Sequence, residues 1–416
     1  MKEIKDIVEY MATSLTSIMD HITKKYPERR WLYEAQQHYW VSIHQARQMG
    51  IPVVWHNQSI PPELLYAMGV VPLCLDVLST SMAAFHVLSS RYLDISHKYV
   101  PEYVCAVNKI VIGVVMSGDI PLPDAMIYAS GPCDSARISY PMIAETLNIP
   151  HFSVDAPFQD NQRGYQYIAG QLKEAVAFLE EMTGKRLDTS AMARVIEQSN
   201  LSYDLFSQIA ELRKTTPCPL PGKLLAMNSV ALGMSGTPQL VKFLKKQYED
   251  GLEKVRRKEG CLPVERKRVA WMQNPVFFNI GIVDWMEKEF GAVLPMDAFG
   301  WRRAALIEDV LDKDAVFEGL AKRSLMVPMT HMGSSPVEYW MESATELFRD
   351  YQCDTAIFAG HVGCTHFWAV GKLLKDMIYD RFGVTTLVFD IDALDPRYVG
   401  TDVIQNRIRD FMETIG

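Results

Sequence analysis

Three cysteines, Cys105, Cys133 and Cys364, are the residues of this chain best placed to do chemistry. Two of them share a local frame. Asp124-Ala-Met-Ile-Tyr-Ala runs through Ser-Gly-Pro to Cys133, and Asp354-Thr-Ala-Ile-Phe-Ala runs through Gly-His-Val-Gly to Cys364. Each run reads as a short apolar strand ending in a glycine-containing loop. Each cysteine is followed by a helical stretch and then by a second strand ending in aspartate, at Asp155 and Asp390. Both thiols therefore belong at the carboxyl edge of a parallel sheet, where open α/β folds bind ligands. A helix N-terminus there favours the thiolate, which is the form that ligates metal. The chemistry open to such thiolates is iron–sulfur or metal ligation. The cysteines are dispersed, with no C-x-x-C pair, so tertiary structure would have to assemble the site. The other reading of each is a small core residue.

The elements that must position these residues follow from the pattern of the chain. Residues 2–49 read as two amphipathic helices, the second stopped by Gly50. Strands are expected at 51–55 and 70–75, separated by a short helix that Pro61 and Pro62 open and Gly69 closes. Pro101 begins a helix carrying Cys105, and strands at 124–129 and 151–154 follow. From about 160 to 258 the pattern is helical, interrupted by Thr216-Pro-Cys-Pro-Leu-Pro-Gly222. Strands at 268–272, 292–295, 355–358 and 386–389 alternate with helices thereafter. The expected fold is α/β: two doubly wound lobes of mostly parallel sheet facing a cleft, with N-terminal helices and a helical insert. The boundaries are 1–50 for the N-terminal helices, 51–160 for the lobe with Cys105 and Cys133, 161–262 for the insert, and 263–416 for the lobe with Cys364.

Composition narrows the function. The chain has 416 residues and a formal net charge of −8, with no basic stripe interleaved with aromatics, which argues against nucleic acid as a partner. The N-terminus does not fit a secretory signal, and the longest apolar run, residues 110–116, is too short to cross a bilayer. A cytoplasmic location is expected, where the seven cysteines are thiols or metal ligands rather than disulfides. Walker A, dinucleotide-glycine, zinc-helix and nucleophile-elbow motifs are all missing.

Several segments resemble one family. They are 63–72 (Glu-Leu-Leu-Tyr-Ala-Met-Gly-Val-Val-Pro), 120–124 through Cys133 to 147–150 and 155–158, and 360–364 (Gly-His-Val-Gly-Cys) through 390–397 (Asp-Ile-Asp-Ala-Leu-Asp-Pro-Arg). These are similar to the 2-hydroxyacyl-CoA dehydratase family, which includes ATP-dependent benzoyl-CoA reductases. The likeness runs from about residue 50 to the end and is nearer the larger, α-type subunit. It implies a heterodimer with a homologous second subunit. It also implies a 4Fe–4S cluster held by three cysteines, which fall on Cys105, Cys133 and Cys364, with one iron open to the CoA thioester substrate. A separate ATP-dependent iron–sulfur activator protein would supply one electron. In a dehydratase that electron makes a ketyl radical anion, which expels the neighbouring hydroxyl. In a benzoyl-CoA-type reductase the electrons stay in the product.

Two further family positions, a serine and a glutamate in some dehydratases, fall here on Gln58 and Asp76. Asp76 reads either as a carboxylate base or as a helix N-cap. Gln58 reads either as a hydrogen-bond donor to substrate or as a loop residue. His361 and His366 flank Cys364, to orient a thioester carbonyl, to hydrogen-bond a cluster sulfur, or only to satisfy local backbone. Asp390 and Asp392 either touch substrate or cap the next turn. Arg137 and Arg397 either meet CoA phosphates or lie on the surface. Cys74, Cys218, Cys261 and Cys353 read as structural. The leading expectation is a dehydratase subunit. The rivals are an aromatic acyl-CoA reductase subunit, a non-catalytic electron-transfer subunit, and a metal-free ligand-binding α/β protein.

Overall fold

The computed structural model describes residues 4–87, 89–158, 161–300, 305–333 and 335–415. The expected helix start at residue 2 and the boundary at residue 160 lie outside these. Eight strands are present among the described residues: β1 (Val53–His56), β2 (Val71–Cys74), β3 (Ala125–Ala129), β4 (His151–Val154), β5 (Lys267–Trp271), β6 (Ala292–Asp297), β7 (Thr355–His361) and β8 (Thr386–Ile391). They form two four-stranded parallel sheets, ordered β2-β1-β3-β4 and β6-β5-β7-β8. The α/β architecture with two parallel sheets is the expected one. Both sheets share one strand order, so the echo around Cys133 and Cys364 is a repeat of topology. Each cysteine follows the third strand of its sheet.

The register of the repeat is fixed by one device. Asp124 accepts the Val53 N–H at 2.8 Å, and Asp354 accepts the Arg268 N–H at 3.0 Å. Each aspartate thus pins the head of the first strand to the head of the third. The strands are largely buried on both faces, as parallel strands covered by helices must be, except the edge strands β4, which exposes Ser153, and β8, which exposes Val388 and Asp390.

Helices form where their start signals stand. Asp6, Asn161, Asp188, Thr237 and Asp312 each cap a helix through a side-chain oxygen. Gly69 closes the short helix Pro62–Ala67 in the left-handed conformation that glycine adopts without penalty. The helix expected from Pro101 begins later. Residues 101–104 are turn, and Cys105 is the N-cap of Ala106–Met116, with an extended ψ of 133°. Two helices, Leu75–Ala84 and Ser89–Ser96, were not expected.

A buried polar cluster ties three parts of the chain together. Arg323, in the helix Lys313–Met326, pairs with Glu63 of the Pro62–Ala67 helix at 3.2 Å and donates to Ser199 of the insert at 2.8 Å. Its remaining donors reach Asn200 and the Ala305 carbonyl. Such a charge is tolerated inside only because its donors find partners.

Candidate active site

The loops at the carboxyl ends of both sheets border a cavity of about 120 Å³. Cys105, Cys133 and Cys364 all line it. Each is the N-cap residue of a helix: Ala106–Met116, Asp134–Thr146 and Thr365–Phe382. Three helix N-termini thus carry the three thiols to one space, each helix contributing about 0.3–2 kcal/mol to a negative charge at its end. Among the described residues, no three His, Cys, Asp or Glu side chains converge as ligands of a single metal ion. The thiols surround a volume instead.

Close packing brings the first and third thiols together across the two lobes. A Cβ built on Gly363 would stand 2.6 Å from the Cys105 Cα, so only glycine fits there. That requirement accounts for the glycine before Cys364 in physical terms.

Burial sets the electrostatics. It pushes the Cys105 thiol well above the usual range, with the charges of Cys364 and Cys133 adding to the effect. It pushes Cys133 up to about 12 and raises Cys364 as well. The backbone N–H groups of Val107, of Ala136 and Ser135, and of Phe367 oppose this, although none forms a complete cap hydrogen bond. Burial and mutual repulsion both disfavour three thiolates in one space, so the thiolate forms need a positively charged core that neutralises all three, which does not suit a free nucleophile. An orphaned donor agrees with that. The Gln273 side-chain nitrogen is buried without a formed hydrogen bond, and Gln273 interacts with the Cys364 sulfur so as to favour its thiolate. The three cysteines therefore fit an iron–sulfur cluster in donor type and number.

Asp76 and Gln58 line the same cavity and are partners. Gln58 donates its backbone N–H to Asp76 Oδ2 at 2.8 Å and its amide to Oδ1 at 3.1 Å. Asp76 is not an N-cap. Cys74 holds that place, and Asp76 sits in the first turn with its carboxylate turned back to Gln58. Burial raises its pKa to about 6, opposed by the bonds from Gln58 and Tyr140. Tyr140, whose hydroxyl is 3.4 Å from Asp76 Oδ2, and Gln273 carried no signal as single residues.

The remaining candidates separate. His366 lines the cavity. His361 does not; it is fully buried, with Nε2 3.2 Å from Cys105 Sγ. Asp392 caps the turn after β8, accepting the N–H groups of Leu394 and Asp395. Asp390 is exposed in β8. Arg397 is taken up by Asp94 and Asp395, and Arg137 donates to the Ser130 carbonyl at the surface. All seven cysteines are free thiols, and no described helix is long and apolar enough to cross a membrane.

Residues 58–415 match the family model described as 2-hydroxyglutaryl-CoA dehydratase, D-component. The chain is 21% identical to lactoyl-CoA dehydratase subunit alpha of Anaerotignum propionicum, over 89% of this chain and 92% of that one. It is 22% identical to (R)-2-hydroxyisocaproyl-CoA dehydratase alpha subunit of Clostridioides difficile, over 89% and 91%. A benzoyl-CoA reductase subunit of Thauera aromatica is 20% identical over 76% and 77%. The chain belongs to the 2-hydroxyglutaryl-CoA dehydratase D-component family.

Proposed function

We propose that this chain is the α-type, cluster-bearing subunit of a 2-hydroxyacyl-CoA dehydratase, which removes water from an (R)-2-hydroxyacyl-CoA. The observation that carries the reading is the gathering of Cys105, Cys133 and Cys364 around one cavity whose wall also holds the Gln58–Asp76 pair. The three cysteines would hold a 4Fe–4S cluster, which supplies one-electron exchange with the thioester when bound. A homologous second subunit and an ATP-dependent iron–sulfur activator complete the system.

The residues of this chain do the rest. Leu225, Leu232, Phe277 and Phe299 give the cavity an apolar wall that excludes water and strengthens every polar contact inside. Asp76, with a pKa raised to about 6, is deprotonated at neutral pH yet basic enough to take a proton from the substrate carbon. Gln58 fixes both carboxylate oxygens and so sets the direction from which the proton arrives. His366 and Asn108 present polar groups to the same space, where a thioester carbonyl can meet them.

The test is product mass. The chain, its second subunit and the activator are incubated anaerobically with ATP and a panel of (R)-2-hydroxyacyl-CoA and aryl-CoA thioesters. Loss of one water from a hydroxyacyl-CoA supports the dehydratase. Gain of two hydrogens by an aryl-CoA, with no dehydration, assigns the chain to the reductase branch instead.

A further inference from the structure

His361 approaches the Cys105 sulfur and is not among the residues lining the cavity. It is fully buried. His361 ends β7, and its Nδ1 accepts the Ala393 N–H at 3.1 Å. In the neutral ring the proton is therefore on Nε2. That nitrogen is 3.2 Å from Cys105 Sγ, so an N–H is directed at the sulfur. Ala393 is itself held in place, because the Asp392 carboxylate accepts the next two backbone N–H groups, at 2.9 and 3.1 Å. The tautomer is thus built into the turn after β8.

Gln273 stands just beyond β5. Its Oε1 accepts the Asn274 N–H at 2.5 Å, which fixes the amide and leaves its nitrogen as the free end. That nitrogen is buried without a formed hydrogen bond. Gln273 follows Arg268 by the same number of residues as Gln58 follows Val53, and Arg268 and Val53 are the equivalent residues pinned by Asp354 and Asp124. The two lobes thus put glutamine at one position and use it differently. Gln58 donates to a carboxylate on the cavity wall, and the Gln273 side-chain nitrogen donates to no protein group among the described residues.

We propose that His361 is a positioning residue that donates a hydrogen bond to the Cys105 sulfur and thereby raises the reduction potential of the cluster this sulfur helps to hold. The inference rests on the cluster reading above. Adding an electron places more negative charge on the ligand sulfurs, so a donor there stabilises the reduced form more than the oxidised one. In a buried site with little water, the effect of each donor is large.

The experiment is a redox titration, followed by electron paramagnetic resonance, of the anaerobic complex with its second subunit. His361→Leu removes the donor, and His361→Gln puts an amide nitrogen where Nε2 stood. The expected result is unchanged iron content in both variants. The midpoint moves to more negative potential in H361L and returns close to the parent value in H361Q. An unmoved midpoint in H361L would overturn the proposal. So would an H361Q midpoint shifted as far as that of H361L. Loss of iron from H361L that H361Q does not restore would make the residue a structural support and also overturn it. Iron missing from the unaltered chain after reconstitution removes the cluster reading itself, and that is seen before any variant is compared.

Discussion

Gln58 and Asp76 form one unit: the backbone N–H and the side-chain amide of Gln58 donate to the two oxygens of Asp76, at 2.8 and 3.1 Å. The pair holds the carboxylate on the cavity wall. Burial dominates its titration and raises the pKa to about 6.

That rise has a cost in stability. The folded protein holds the Asp76 proton more tightly than the unfolded chain, so this group favours folding at low pH. The contribution is lost as pH rises through the folded value of about 6. At pH 8 the penalty is about 3 kcal/mol for a shift of roughly two units. Asp76→Asn should therefore raise the denaturation midpoint at pH 8 and change it little at pH 4. Turnover should fall by about 10²-fold or more, the scale of a lost general base. Denaturant melts at the two pH values check the sign.

Gly363 packs against the Cys105 backbone with no room for a side chain. A methyl group there meets the Cys105 backbone at 2.6 Å, which cannot move aside as a flexible side chain would. Gly363→Ala should cost about 1–3 kcal/mol, as overpacking does. It should also displace Cys105 from its helix cap and lower iron retention, while Gly170→Ala, with open space around its Cβ and an ordinary helical backbone, leaves iron unchanged. Iron content after gel filtration compares the two.

The Glu63–Arg323 pair joins the first lobe to the helix Lys313–Met326, and both side chains are about 1% exposed. Removing one partner strands a buried charge. Arg323→Met should cost about 3–5 kcal/mol, and the double variant Glu63→Gln, Arg323→Met should cost less than the sum of the single changes. A double-mutant cycle by urea denaturation measures the difference.

Much of this was legible in the sequence, and the rest was hidden for identifiable reasons. All eight strands are short apolar runs with turn residues at their ends, so pattern alone located them. The helix Leu75–Ala84 was hidden because Ser79 and Thr80 are poor helix formers in isolation. In the fold their hydroxyls bond back to carbonyls of their own helix, Ser79 to Leu75 and Asp76 and Thr80 to Asp76. The helix starts one residue before Asp76 and not after it, which is why Asp76 looked like an N-cap. Gln273 lies between a strand and a loop and carries no motif. Only an alignment of the two halves on Asp124 and Asp354, carried to the strands they pin, sets it beside Gln58. The meeting of Cys105 with Cys364 depends on long-range packing, which no local pattern contains.

The central claim is that Cys105, Cys133 and Cys364 hold one 4Fe–4S cluster in this chain. Iron and acid-labile sulfide, counted per chain in anaerobically purified protein and in its Cys133→Ser variant, test it most directly. About four of each in the parent, as a 4Fe–4S cluster requires, with loss from the variant and an unchanged circular-dichroism spectrum, is the predicted result. No iron in the parent after anaerobic reconstitution, or full iron retained by the variant, would contradict it.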